Sequence, residues 1–226
     1  MTETLSLRAK IEQSPMGAYQ WMIVVMAAIM NLLDGFDVLA LAFTATAIRG
    51  EFGLTGIELG YLLSAGLFGM TAGSLFLAPL ADKIGRRPLL LMAVSLSAIG
   101  MLGSAFISQY QWLGFWRVIT GLGVGGILVG TNVITSEYSS RKWRSFAISV
   151  YAAGFGVGAV LGGMFAVMLQ GEYGWRSVFL AGAILTGLLL VVLFIWLPES
   201  IDFLTSKQPK NSEVRLNLIA KKIGLA

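Results

Sequence analysis

The chain has 226 residues, of which 56 % are apolar and only 12 % are charged. Soluble domains carry about 25 % charged residues, so this composition is typical of a membrane protein. Cysteine and histidine are absent, which excludes disulfides, thiol nucleophiles, Ser-His dyads and the common Cys/His metal sites. We therefore expect no metal and no cofactor, and any proton chemistry must use carboxylates.

A polar arm, residues 1–18, precedes a first apolar span at 19–48 that contains two acids, Asp34 and Asp37. An acid near the centre of a membrane helix costs roughly 2.5–3.5 kcal/mol, so it usually marks a substrate, ion or proton site. Three residues apart on a helix, the two carboxylates share one face. A purely structural polar pair is the alternative interpretation.

Six apolar spans are each long enough for a membrane helix of about 20 residues. We predict an all-α integral membrane protein with a six-helix bundle over 19–197, followed by a cytoplasmic linker segment at 198–226. The linker should be partly helical and should lie near anionic lipid. The predicted helices are 19–48, 56–81, 88–108, 111–136, 145–170 and 175–197.

The basic residues alternate between the two sides of this bundle. Of the 16 Lys and Arg residues, Arg49 and Arg176 fall on one side, Arg117 lies inside span 4, and all others fall on the opposite side. By the positive-inside rule both termini are cytoplasmic. Because the charge follows the loops between apolar spans, we expect a lipid bilayer and not nucleic acid as the partner.

Arg117 requires a counter-charge at its depth in span 4. Asp34 and Asp37 are the natural partners, because they are the acids deepest in any span. An arginine snorkelling to the outer headgroups is the alternative.

Spans 4 and 5 carry glycines at small-xxx-small spacing, which lets helix backbones touch. They favour either ordinary tight packing or smooth faces that slide during a conformational cycle. The predicted packing glycines are Gly121, Gly123, Gly125, Gly154, Gly158 and Gly162.

The loop after span 2 has an unusually specific order of charges around a glycine that permits a tight bend. Positive charge here also anchors the topology. The loop residues of interest are Asp82, Lys83, Gly85, Arg86 and Arg87.

This loop resembles the signature loop of the major facilitator superfamily, Gly-x-Leu-Ala-Asp-Arg/Lys-x-Gly-Arg-Arg/Lys, with Ala78 in place of the first glycine. The run from Arg117 is similar to the family's Arg-x-x-x-Gly-x-Gly-x-Gly motif, whose arginine is associated with proton coupling. Span 5 resembles the antiporter signature, but Ala159 replaces its proline, which favours symport or uniport. Residues 198–200, Pro-Glu-Ser, are similar to the segment that ends the first half of many members.

The resemblance implies two inverted three-helix repeats that form one half of a major facilitator fold. We therefore expect a truncated N-terminal half that needs the C-terminal six-helix half, or a second copy, as its partner. The resemblance also implies that Glu137, Arg141 and Arg144 form a cytoplasmic charge cluster that pairs with the signature loop.

The Asp-Gly-Phe-Asp run at 34–37 is similar to that of the aromatic acid:H⁺ symporters. By this resemblance Asp34, Asp37 and Arg117 would couple protons to a small organic acid by alternating access, in a bacterial inner membrane. Either acid could carry the proton.

Other interpretations stay open at this point. The substrate could be a sugar, a dicarboxylate or a drug, and a half-length chain could be a membrane fragment that does not transport. An intramembrane aspartyl protease is disfavoured because such sites draw their acids from two helices, whereas Asp34 and Asp37 share one.

Overall fold

The computed structural model describes residues 2–209 and 211–224, with side chains from Leu7 onward. Lys210, within the predicted linker segment 198–226, lies outside the described residues together with Met1, Leu225 and Ala226. In the described ranges the chain forms α-helices only: α1 (Thr2–Gln13), α2 (Ala18–Phe52), α3 (Gly56–Ile84), α4 (Arg86–Ala105), α5 (Tyr110–Tyr138), α6 (Arg144–Tyr173), α7 (Trp175–Trp196), α8 (Ile201–Lys207) and α9 (Ser212–Ile223).

Helices α2 to α7 are long and apolar enough to cross a membrane. The predicted all-α membrane fold with six spanning helices is therefore confirmed, with spans 1 to 6 forming α2 to α7. The helices end at local signals: Gly53 closes α2 with a φ of 63°, and Thr55 caps α3 by accepting a hydrogen bond from the main-chain nitrogen of Glu58.

The helices pack in pairs that are distant in sequence. The most extensive contacts join α3 to α5 and α2 to α6, and α4 packs on both α5 and α7. If α2, α3 and α4 are matched in order to α5, α6 and α7, the α2/α6 pair corresponds to the α5/α3 pair, and the α4/α7 pair corresponds to itself. Because each triplet has an odd number of crossings, the second starts on the opposite side. This is the arrangement of two inverted repeats.

Glycines form the two tightest helix contacts. A Cβ atom added at Gly158 of α6 would collide with the main-chain oxygen of Leu32 of α2, and one at Gly121 of α5 would collide with the main-chain oxygen of Gly66 of α3. Of the six predicted packing glycines, five would collide with a main-chain oxygen of a neighbouring helix, and Gly162 would collide with the side chain of Phe36. By contrast, Gly156 on α6 has nothing within 4 Å of the added Cβ.

The N-terminal arm, expected only to be polar, folds as α1 and docks on one end of the bundle. Leu7 and Ile11 are buried. Arg8 forms an ion pair with Asp202 at 2.6 Å, and Glu12 forms one with Arg144 at 3.0 Å. The hydrogen bond from Arg144 lowers the pKa of the Glu12 carboxyl below its ordinary range. The arm therefore joins α8 to the start of α6.

Candidate functional site

A buried polar site lies where α2, α4 and α5 meet. Asp34, Asp37 and Arg117 keep only 2 %, 1 % and 3 % of their surface exposed. Asp34 and Asp37 belong to α2, and Arg117 belongs to the first half of α5. All three predicted residues are therefore removed from solvent within the bundle.

The two carboxylates have few partners. Asp37 Oδ2 accepts a hydrogen bond from Ser97 Oγ of α4 at 2.7 Å. Among the described residues, Asp37 Oδ1 and Asp34 Oδ2 have no hydrogen-bond partner. A buried charged oxygen without a partner is expensive, so a bound proton or a hydrogen-bond donor would stabilise these acids.

Arg117 is held by neutral groups. Its Nη2 donates to Ser104 Oγ at 2.9 Å and Thr120 Oγ1 at 3.0 Å, and its Nη1 donates to the main-chain oxygen of Asp37 at 3.3 Å. The guanidinium also lies 4.8 Å from the centre of the Phe179 ring.

The expected ion pair between Arg117 and a carboxylate of Asp34 or Asp37 is absent from the described residues. Arg117 reaches Asp37 at its backbone carbonyl. The hydroxyls of Ser104 and Thr120 and the sulfur of Met101 accept from Nη2, and Ser104 also accepts from Nε at 3.3 Å, so neutral acceptors take most of the guanidinium donors.

A cavity of about 30 Å³ adjoins the site between α2, α3 and α5, and is lined by Asp37, Arg117, Thr120, Leu62 and Gly66 among others. One water needs about 10–15 Å³ of cavity volume, so the cavity has room for about two waters. Two such waters would be enough to relay a proton to the site. A larger organic anion requires the helices to move apart.

Sequence reasoning missed four polar residues of the site, one of which is Thr120, the acceptor of a hydrogen bond from Arg117. Ser97 and Ser104 stand seven residues apart on one face of α4, and both are fully buried. Asn31 lies three residues before Asp34 and donates from Nδ2 to the main-chain oxygen of Tyr151 at 2.8 Å. Helical spacing to the predicted acids was the available signal for Asn31.

The signature loop between α3 and α4 is held by the carboxylate of Glu199, which is more than 110 residues later in the sequence. Gly85 has a φ of 103°, and Arg86 pairs with Asp82 at 2.6 Å. Glu199 Oε1 accepts hydrogen bonds from the main-chain nitrogens of Arg86 at 2.8 Å and Arg87 at 3.0 Å. The Glu of the Pro-Glu-Ser segment thus caps α4. Lys83 is exposed beside this contact.

The predicted charge cluster of Glu137, Arg141 and Arg144 does not form among the described residues. Glu137 Oε2 accepts from Ser200 Oγ at 2.7 Å and from the main-chain nitrogen of Ile201 at 2.8 Å, so it caps α8. Arg144 pairs instead with Glu12, and the main-chain nitrogen of Arg141 donates to the main-chain oxygen of Glu12 at 3.1 Å. Helix α1 supplies the acid that the sequence assigned to α5.

The chain is similar in sequence to known transporters. It is 36 % identical over 204 residues to a gallate transporter of Pseudomonas putida, covering 90 % of this chain and 45 % of that protein. It is 34 % identical over 216 residues to the 4-hydroxybenzoate transporter PcaK of Pseudomonas putida, covering 96 % of this chain and 48 % of that protein. The chain spans about half the length of the curated relatives it matches.

The fold is also that of solved transporters. The structure of the proton:xylose symporter XylE bound to 6-bromo-6-deoxy-D-glucose superposes with a TM-score of 0.82 at 22 % identity, covering 91 % of this chain and 50 % of that one. The model of the Major Facilitator Superfamily matches residues 27–221. The chain belongs to the Major Facilitator Superfamily.

Proposed function

We propose that this chain forms one six-helix half of a proton-coupled secondary transporter of small organic anions. Asp34, Asp37 and Arg117 are its proton-coupling and substrate residues. The observation that carries the proposal is the burial of two carboxylates and one guanidinium with no direct ion pair among the described residues.

Charge balance supports a coupled site. Two carboxylates and one guanidinium carry a net charge of −1 inside the bundle, and such a charge is costly in a bilayer. One bound proton brings the site to neutrality. Arg117 can then exchange a neutral hydroxyl partner for the carboxylate of an organic anion, which is a stronger charge-assisted acceptor. Proton and anion would thereby bind to one site together.

Alternating access follows from the way the helices are held. We propose that the contact of Glu199 with the α3–α4 loop and the Arg86–Asp82 pair stabilise one state, and that they break in the other. The glycine contacts of α2 with α6 and of α3 with α5 allow close packing during the movement.

An aromatic or related carboxylic acid is the substrate class that we propose. Support comes from the names of two relatives, a gallate transporter and a 4-hydroxybenzoate transporter. Both compounds are small aromatic carboxylates that would offer Arg117 one carboxylate and place a ring against apolar residues that line the adjoining cavity, such as Leu62.

The transporting unit would contain a further six-helix half or a second copy of this chain. We propose that residues 1–18 and 198–226 are cytoplasmic, that 19–197 span a bacterial inner membrane, and that 198–226 lead toward the other half. The distribution of Lys and Arg supports this orientation. The absence of histidine and cysteine, together with the relatives' names, supports transport over enzymatic catalysis.

Uptake of radiolabelled 4-hydroxybenzoate and benzoate by cells that express the chain tests this function. We expect accumulation above the vector control, and we expect a protonophore to remove it because the proton gradient drives it. A second sample co-expresses the chain with the second half of a full-length relative. Comparing the two samples shows whether uptake requires both halves. Absence of protonophore-sensitive uptake from both samples would contradict the proposal.

A further inference from the structure

A cleft unrelated to the buried acids lies at the end of α7. It has a volume of about 270 Å³ and is bounded by the end of α7, by α8, by α9 and by the first turn of α2. Three cations line it, Arg87, Arg215 and Lys222, together with the aromatic residues Tyr19 and Trp196. These residues come from four different helices, so tertiary folding brings them together.

The cations of the cleft are not neutralised by the protein. Among the described residues, none of Arg87, Arg215 and Lys222 has a carboxylate within ion-pair distance. Arg87 uses one of its five donors on the main-chain oxygen of Phe194 at 2.6 Å, and Lys222 lies 5.2 Å from the centre of the Tyr19 ring.

One acid, Glu199, also lines the cleft. Its Oε1 is already engaged by the main-chain nitrogens of Arg86, Arg87 and Ser200. The remaining balance of three cations against one carboxylate favours an anion, and arginine donors match the geometry of phosphate oxygens.

The rim of the cleft is apolar and exposed. Ile195 and Trp196, on the last turn of α7, have 68 % and 55 % of their surface exposed, and Leu218 of α9 has 55 %. Tryptophan at the end of a membrane helix is typical of the headgroup level of a bilayer. The cleft therefore opens where acyl chains and headgroups meet.

We propose that this cleft binds a phosphate-bearing anion, and that its source is the headgroup of an anionic phospholipid in the leaflet that faces the chain's basic end. Arg215 and Lys222 contact the phosphate, and Trp196 and Leu218 lie against the first part of the acyl chains. The volume is below the roughly 300–1,000 Å³ of pockets that enclose drug-sized ligands, which suits a headgroup with its tails outside. This site is independent of transport, so its failure would leave the uptake proposal intact.

Lipid titration of the full purified chain in detergent, followed by native mass spectrometry, tests the site. Phosphatidylglycerol is the probe, with phosphatidylcholine and inorganic phosphate as comparators. We expect Arg215→Gln/Lys222→Gln to weaken phosphatidylglycerol binding roughly 25-fold, at about fivefold for each cation near the membrane surface.

Lys207→Gln/Lys221→Gln is the matched control, because it removes the same charge from the same two-helix segment at exposed positions outside the cleft. We expect that control to bind as the wild type does, and Arg215→Lys/Lys222→Arg to retain binding, which separates loss of charge from loss of folding. Equal weakening in the two Gln variants, or equal binding of phosphatidylcholine, would overturn the site. Inorganic phosphate binding as tightly as phosphatidylglycerol would overturn the lipid as its source.

Discussion

Asp34 is the acid of the site for which we expect the sharpest functional consequence. Its Oδ2 has no hydrogen-bond partner among the described residues, whereas Asp37 accepts one from Ser97. We expect Asp34→Asn to abolish proton-driven uptake, because an amide fills the same space but carries no titratable proton. Initial uptake rates of labelled 4-hydroxybenzoate at acidic and neutral external pH measure this effect.

The exposed acid Glu172 at the end of α6 provides the matched control. Glu172→Gln also removes one carboxylate, and we expect it to keep the acid stimulation of the wild type. Acid-stimulated accumulation by Asp34→Asn would refute the role of Asp34.

Substitutions of Arg117 test whether this residue binds the transported anion. We expect Arg117→Lys to weaken anion binding about tenfold, because lysine keeps the charge but loses the planar fork that reaches both Ser104 and Thr120. Arg117→Gln should weaken it about 100-fold, since a hydrogen bond to a charged group contributes about 1.5–3 kcal/mol. Equilibrium binding of labelled 4-hydroxybenzoate by the purified chain checks both values. Wild-type affinity in Arg117→Lys would contradict the proposed contact of the guanidinium with the anion.

The identity of the buried charged residues could be predicted from the sequence, but their partners could not. Ionisable residues in apolar spans are costly and usually functional, so the sequence alone identifies Asp34, Asp37 and Arg117 as candidate site residues. Whether Arg117 meets a carboxylate or a carbonyl depends on how α2 and α5 are rotated against each other. Rotation is set by packing, which a single sequence does not encode locally.

At the scale of elements, α6 offers two glycines with opposite surroundings. We expect Gly158→Ala to lower the free energy of unfolding by about 1–3 kcal/mol, because its Cβ collides with the main-chain oxygen of Leu32 and the helices must separate. Gly156→Ala is the matched control. Its Cβ meets nothing within 4 Å, so the better helix propensity of alanine should leave the stability unchanged or raise it by up to about 1 kcal/mol. Thermal unfolding in detergent compares the two, and equal melting temperatures would contradict the close contact.

Helix α1 is held on the bundle by the Glu12–Arg144 ion pair, which we expect to weaken in acid. The pKa of Glu12 is lowered by Arg144, so the pair stabilises the docked arm at every pH above the ordinary value near 4.3, and this stabilisation is lost as the pH falls through the lower folded value. We expect the protection factors of residues 7–13, which correct hydrogen exchange for the pH dependence of the intrinsic rates, to be constant from neutral pH down to about pH 4.3 and to fall below it. Arg144→Gln should lower these protection factors already at neutral pH, and unchanged protection factors in this variant would exclude a stabilising role for the Glu12–Arg144 pair.

The six membrane helices were predictable because each is a long apolar run bounded by short polar loops, most of which carry charge. Helix α1 was not, because its sequence has no apolar face longer than Leu7 and Ile11, and only docking buries these two side chains. The capping of α4 by Glu199 escaped prediction for a related reason: the contact joins positions 113 residues apart. Local propensity and charge counting do not register such contacts.

For the whole molecule, the orientation in the membrane is the property most directly testable. The chain has no cysteine, so a single introduced cysteine reports its own position. Ser206→Cys after the bundle and Ser108→Cys between α4 and α5 are both at exposed positions. We expect a membrane-impermeant maleimide added to intact cells to label Ser108→Cys only, and Ser206→Cys only after permeabilisation. The reverse pattern would contradict cytoplasmic termini.

The pairing of α2 with α6 has a consequence for the synthesis and membrane insertion of the protein. The amide of Asn31 bonds to the carbonyl of Tyr151, which lies 120 residues later. At about 5–20 residues per second, synthesis leaves that amide waiting roughly 6–24 s for its partner. During this interval the first membrane helix holds its polar face towards lipid, the translocon or an earlier helix, and α3 likewise waits for α5. The order of translation thus leaves the helix that carries Asp34 and Asp37 without its main partner until α6 is made, and during this time it depends on protection by the insertion machinery.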